Sequence, residues 1–140
     1  MSLPEYETEL YVHKKSKTNE ENSLETLKML VPVLEELENW TNESLYERLT
    51  DVFARFEAGE TEETFFADLH KRYNEYDGHD WCLTLSNAEI VVACLLWGRG
   101  DFGRSICMAV EQGFDTDCNG ATVGSILGMK NSIAAIGDEW

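Results

Sequence analysis

Gly113-Phe114-Asp115-Thr116-Asp117-Cys118-Asn119-Gly120-Ala121-Thr122-Val123-Gly124-Ser125-Ile126-Leu127-Gly128 is the stretch that decides how this 140-residue chain is read. Two carboxylates stand two residues apart in a loop of small residues, and a helix-forming run with a glycine at every fourth position follows at once. Asp-x-Asp-x-Asn-Gly concentrates the hard oxygen donors that magnesium, manganese or calcium prefers. The same two aspartates also suit a helix N-terminus, where a carboxylate can cap free amides and meet the positive end of the dipole. The loop is not an EF-hand. With Asp115 in first position, Asp117, Asn119 and Gly120 fall in register, but Ile126 occupies the place of the closing bidentate Glu.

Gly120, Gly124 and Gly128 share one helix face. Each costs about 1 kcal/mol against alanine, so three together need compensation. Close approach of a neighbouring helix would supply it, and so would room for a substrate beside a bound metal. Both readings stay open from sequence.

Upstream lies Asn87-Ala88-Glu89-Ile90-Val91-Val92-Ala93, then Leu95-Leu96-Trp97-Gly98 and Gly100-Asp101-Phe102, then Ile106-Cys107-Met108-Ala109-Val110. Together with the Asp-Thr-Asp loop, this run from Asn87 to Gly128 resembles the ADP-ribosylglycohydrolase family, which includes the J1 crystallins. The resemblance implies an all-α fold, a two-metal site holding magnesium or manganese, and hydrolysis of an ADP-ribosyl bond on a modified protein or small molecule. Asp115 and Asp117 match the family's late pair of metal ligands. Thr116, Cys118, Asn119 and Gly120 form the neighbourhood of metal or substrate. In relatives the residue after the pair is often a metal-binding Thr, and Cys118 departs from that pattern. The family's early Gly-Asp segment and Thr-Asp-Asp cluster do not occur here. The chain therefore reads as the C-terminal half of such a domain, inactive alone, binding magnesium or manganese weakly or not at all by itself, with an ADP-ribose-containing substrate bound only by the complete enzyme. A missing N-terminal half or a homodimer would complete it; the competing reading is a non-catalytic helical interaction module.

The rest of the chain reads as helix after helix. Residues 1–20 are a polar tail and residues 21–140 a helical domain. Leu24, Leu27, Leu30, Val31, Leu34 and Leu37 recur at helical spacing, with Pro32 expected to kink or restart the run. Ser44-x-x-Glu47 suggests a capping box before the stripe Leu45, Leu49, Val52, Phe53 and Phe56. Thr61 is expected to cap a helix whose face carries Phe65, Phe66, Leu69, Tyr73 and Tyr76. Asp77-Gly78-His79-Asp80 reads as a turn. Ser86-x-x-Glu89 suggests a second capping box, and the helix Ala88 to Trp97 is apolar nearly all round, as in a helix buried on several sides. Gly98-Arg99-Gly100 should break it, and Asp101 should cap the next helix, to about Gln112, with Phe102, Ile106, Ala109 and Val110 facing inward.

Composition narrows the function classes. An apolar content of 43% suits a globular chain. A net charge of −16 repels nucleic-acid phosphates and anionic membranes, so neither is expected as a partner, although acidic faces also simply keep a protein soluble. No signal peptide pattern is visible. Cys82, Cys94, Cys107 and Cys118 show no CxxC pairing. Cys94 and Cys107 read as small core residues, and reduced thiols point to the cytoplasm. Zinc is not expected, since no second thiolate or His is suitably spaced along the chain. No residue stands out as a general base: Glu111 and Asp101 fit a solvated face, and His13, His70 and His79 lack partners at catalytic spacing.

Overall fold

The computed structural model describes Lys28 and residues 43–77, 81–132, 136, 137 and 140. The expected tail at 1–20, the Leu24–Leu37 stripe apart from the helical Lys28, and the Gly78-His79-Asp80 turn lie outside the described residues. Five α-helices are described: α1 (Glu43–Glu57), α2 (Glu62–Arg72), α3 (Thr84–Trp97), α4 (Phe102–Glu111) and α5 (Thr116–Asn131), with a short 3₁₀ turn at Glu75–Asp77. No strand occurs among the described residues, so the all-α class stands. Among them, no helix is long and apolar enough to cross a membrane.

Helix α3 is the hub and packs against α1, α2, α4 and α5. Its apolar circumference explains this: Ile90, Val92, Ala93, Cys94, Leu95, Leu96 and Trp97 are all buried. From α1, Leu49, Val52 and Phe53 are buried against it, with Leu45 and Phe56 at the margin. Phe56 meets Trp97 edge-on at 5.2 Å, and Phe65 of α2 stacks on Trp97 at 4.9 Å. The Trp97 indole N–H is satisfied by the Glu60 carbonyl at 2.9 Å.

Helix starts follow the expected caps in two places. The Thr61 side chain accepts from the Thr64 amide, and the Asp101 carboxylate accepts from the Arg104 amide at 2.8 Å. They fail in two others. Ser44 already lies inside α1. α3 begins at Thr84, before Ser86, whose hydroxyl donates back to the Leu83 carbonyl at 3.0 Å. Glu89 is therefore no capping partner. It is fully buried and accepts hydrogen bonds from Arg72, at 2.5 Å, and from the Tyr73 hydroxyl. The cap-like spacing is local, whereas Glu89 lies on the face of α3 that packs inward.

Three inward assignments also change. Tyr76 is 90% exposed, because α2 stops at Arg72 and the 3₁₀ turn rotates the next residues away from its face. Cys107 is exposed while Cys94 is buried. On α4, Met108, Ala109 and Ser105 are buried, whereas Val110 is about half exposed. The α4 residues Phe102, Ile106 and Val110 form a separate ridge that fits the glycine groove of α5. A Cβ at Gly120 would stand 3.3 Å from a Val110 methyl, and one at Gly124 would stand 3.2 Å from the Ile106 Cδ1. Gly128 has nothing within 4 Å. Close helix approach thus accounts for the first two glycines and not the third. The tightest approach is elsewhere: a Cβ at Gly98 would lie 2.0 Å from the Ser105 hydroxyl, which lets the end of α3 touch α4.

Candidate metal centre

The Asp-Thr-Asp loop is the turn between α4 and α5. Gly113, with a positive φ of 70°, releases the chain from α4. Asp115 then takes the position before α5, but its side chain makes no capping bond to that helix. Its carboxylate turns inward. The Oδ2 atom accepts from the Cys82 thiol at 3.3 Å and from the Asn87 amide at 3.2 Å. Asn119, one turn into α5, donates in turn to the Asn87 Oδ1 at 3.2 Å. Asn87 sits in the first turn of α3, so the hub helix and α5 hold Asp115 between them.

Asp115 is buried at 6% exposure, and the two side chains that donate to its Oδ2 are neutral. Among the described residues, no Lys, Arg or His forms an ion pair with it. The hydrogen bond from Cys82 is the largest influence holding its carboxyl below the ordinary value. Burial works the other way, and contacts from Cys118, Asp117 and Asn87 add to the lowering. Asp115 therefore stays ionised at neutral pH and well into acid. The Cys118 thiol is pushed up, first by donating to Asp115 and then by that carboxylate's charge.

One ligand atom each from Asp115, Asp117 and Cys118 lies within 4.8 Å of the others. Asp115 forms the buried floor, and Asp117 and Cys118 form an exposed rim. The donor set fits a divalent cation in part. Two carboxylates in reach of one another are what a hard cation requires, but they fall short of the six or so oxygens it takes, and a thiol is not a magnesium donor.

Of the residues expected at the site, Asp115, Asp117 and Cys118 come together. Asn119 is buried behind them as a positioning group. Thr116 is half-buried at the start of α5, and Gly120 belongs to the α4 contact. Sequence reading missed Cys82 and Asn87 as supports for Asp115. Asn87 carried a signal, being the first residue of the motif-bearing run, whereas Cys82 carried none, since only the fold brings it to residue 115. Asp101 is spent on its cap, and Glu111 points to solvent. His70 lies 3.3 Å from the Gln112 side-chain oxygen and beside the Phe114 ring.

Two grooves adjoin the loop. One of about 430 Å³ runs between α3 and α5, past Asn87, Val91, Leu95, Cys118, Thr122 and Ile126. The other, about 460 Å³, is lined by His70, Lys71, Tyr73, Tyr76, Trp81 and Phe114 among others.

The described residues form a helical body with paired aspartates at the start of a glycine-lined helix. The chain belongs to the ADP-ribosylglycohydrolase family, whose model matches residues 11–140, and that family is metal-dependent in general. A second likeness is shorter. Glutamate–tRNA ligase of Clostridium tetani (strain Massachusetts / E88) is 49% identical over 55 residues, which is 39% of this chain and 11% of that protein. The ligase of Clostridium kluyveri is 47% identical over 55 residues, 39% of this chain and 11% of that one. The ligase of Clostridium botulinum (strain Hall) is 54% identical over 46 residues, 33% and 10% of the two chains. The chain thus spans about a tenth of the length of the curated relatives it matches. Only residues 1–10 fall outside the family match, so most of the stretch shared with the C. tetani ligase lies within it. No solved structure matches the chain.

Proposed function

We propose that this chain contributes the Asp115/Asp117 part of a divalent-cation site for hydrolysis of ADP-ribosyl bonds, and that it is inactive on its own. The observation that carries this reading is the inward-turned Asp115 carboxylate, ionised and buried without a counter-charge, with Asp117 beside it. A carboxylate used only as a helix cap would bond the amides of α5, and this one does not. Family membership supports the hydrolase class. In the complete site Asp115 and Asp117 would hold magnesium or manganese, which supplies Lewis acidity and an acidified water when bound. Asn87, Asn119 and Cys82 keep the Asp115 oxygens aimed while substrate binds. The remaining oxygen donors and the general base come from outside this chain. The cytoplasm is the proposed compartment, where exposed Cys82, Cys107 and Cys118 stay reduced.

The test is turnover of an ADP-ribosylated protein in magnesium. The chain alone should release no ADP-ribose. Adding a polypeptide that carries a family member's Gly-Asp and Thr-Asp-Asp segments should restore release, and Asp115→Ala should abolish it. Turnover by the chain alone, unchanged in Asp115→Ala, would contradict the reading.

The apolar groove between α3 and α5 favours a second reading, a helical interaction module. The ligases that share a stretch with this chain are named for tRNA, but a net charge of −16 opposes contact with a phosphate backbone. Under this reading the apolar groove between α3 and α5 is the contact surface, and light scattering would find a complex or dimer rather than a monomer.

A further inference from the structure

The groove of about 460 Å³ beside α2 is walled by rings from separate parts of the chain. Tyr76 and Trp81 are 90% and 55% exposed, two of the five exposed large apolar side chains among the described residues. We propose that this groove is a docking surface for a cationic segment of a partner protein, with an arginine side chain seated on the Tyr76 and Trp81 rings. Such docking needs no metal at the Asp115 loop and is independent of the hydrolase reading.

The fold holds these rings outward. α2 ends at Arg72, and the 3₁₀ turn Glu75–Asp77 carries Tyr76 away from the core. Asn74 fixes that turn: its side chain accepts from the Tyr76 amide at 3.0 Å and donates to Asp77 at 3.1 Å. Trp81 precedes α3, and Phe114 comes from the turn between α4 and α5. The His70 ring lies against Phe114 at 5.1 Å and meets the Gln112 side chain, so this wall is formed before a partner arrives. Single exposed apolar residues are ordinary, whereas several gathered on one groove mark an interaction surface. Trp and Tyr are also the residue types that anchor protein interfaces.

Charge selects the occupant. At −16, the chain attracts cations and repels both phosphates and a second copy of itself. Exposed acids Asp77 and Glu111 directly follow Tyr76 and precede Gln112 of the lining. Lys71, the lysine of the lining, is answered by Asp68 at 3.9 Å. Ring faces attract a cation through their quadrupole, Trp most strongly. Arginine suits the groove better than lysine. Its planar guanidinium stacks on a ring while its N–H groups remain able to donate to the amide oxygens of Asn74 and Gln112.

Fluorescence anisotropy of a labelled Gly/Ser peptide carrying three arginines, titrated with the full chain, tests this. A twin peptide with citrulline at each arginine keeps the shape and loses the charge. Trp81→Ala and Tyr76→Ala leave the net charge unchanged, so they separate ring recognition from general attraction to an acidic protein. Each should weaken binding about tenfold. Met129→Ala, which trims an 80% exposed side chain on α5, should change nothing, and the citrulline peptide should not bind. In two-dimensional NMR the arginine peptide should shift the Trp81 indole N–H, assigned by its loss in Trp81→Ala. Both rings are exposed, so their removal leaves the core intact, and circular dichroism verifies the fold of each variant. Equal affinity in the wild type and both ring variants would mean that charge alone drives binding, and would overturn the proposal. No binding by the wild type, or equal binding of the citrulline peptide, would do the same. So would an indole shift caused by ADP-ribose and not by the arginine peptide. No cation is added, so failure here leaves the metal role of Asp115 and Asp117 untouched.

Discussion

Two carboxylates meet the hub helix α3, and the molecule treats them in opposite ways. Glu89 points between α1 and α2, where it is fully buried and answered by the Arg72 guanidinium and the Tyr73 hydroxyl. Burial is the largest influence on it and pushes its pKa up, against the pull of those partners. It also drives the Tyr73 phenol up to about 12. Asp115 reaches α3 from the α5 loop, meets Cys82 and Asn87 instead of a cation, and has its pKa held down. Glu89 is a closed circuit, whereas Asp115 is left with its charge and an exposed rim. What separates a structural acid from one suited to a ligand is therefore compensation rather than depth.

Breaking the closed circuit should have the largest effect. Arg72→Ala leaves Glu89 buried without its cation and should cost about 3–5 kcal/mol at neutral pH, read by urea unfolding. The sign with pH follows from the raised folded value of Glu89. Its contribution is fully present below the unfolded carboxyl value of about 4.3 and is lost as pH rises through the higher folded one. Removing Arg72 raises that folded value further, so the variant's deficit should shrink in mild acid. A deficit independent of pH would mean that Glu89 is not the reason for it.

A smaller effect is expected on the Asp115 side, where the partners are neutral. Asn87→Ala removes the group that bridges Asp115 and Asn119 and should cost about 1–2 kcal/mol. It should also weaken any divalent cation bound at the loop, which a thermal-shift titration reads. A loss as large as that of Arg72→Ala would erase the contrast between the two regions. Smallest in stability is Cys82→Ala, at about 1 kcal/mol or less, since a thiol is a weak donor. Its diagnostic effect is on protonation. Cys82 leads the causes that hold Asp115 down, so carboxyl NMR should find the Asp115 pKa higher in this variant. An unmoved titration would remove Cys82 from the site.

The helical class, the buried hub, the caps at Thr61 and Asp101, and the break at Gly98-Arg99-Gly100 were legible in the sequence, because each rests on local chemistry or a helical period. The sequence also placed Asp115 and Asp117 together at a helix start, and the fold keeps them in reach of one another. The failures involve contacts across the fold. Ser86-x-x-Glu89 has the local form of a cap, and only the packing of α2 on α3 turns Glu89 into a buried partner of Arg72. Cys107 looked internal because its helix is apolar, but the buried face of α4 passes through Ser105, Met108 and Ala109. The α5 glycines divide between a structural role at Gly120 and Gly124 and none of that kind at Gly128, a difference of neighbours rather than of pattern.

Thermal unfolding of the wild type and of Asp115→Asn, each titrated with magnesium and with manganese, bears most directly on the proposal that Asp115 is an uncompensated anchor for a cation. The wild type should gain a small amount of stability only as the cation reaches millimolar concentration, Asp115→Asn should gain none, and Glu89→Gln should gain as the wild type does relative to its own cation-free midpoint. Equal gains in the wild type and Asp115→Asn would contradict the claim.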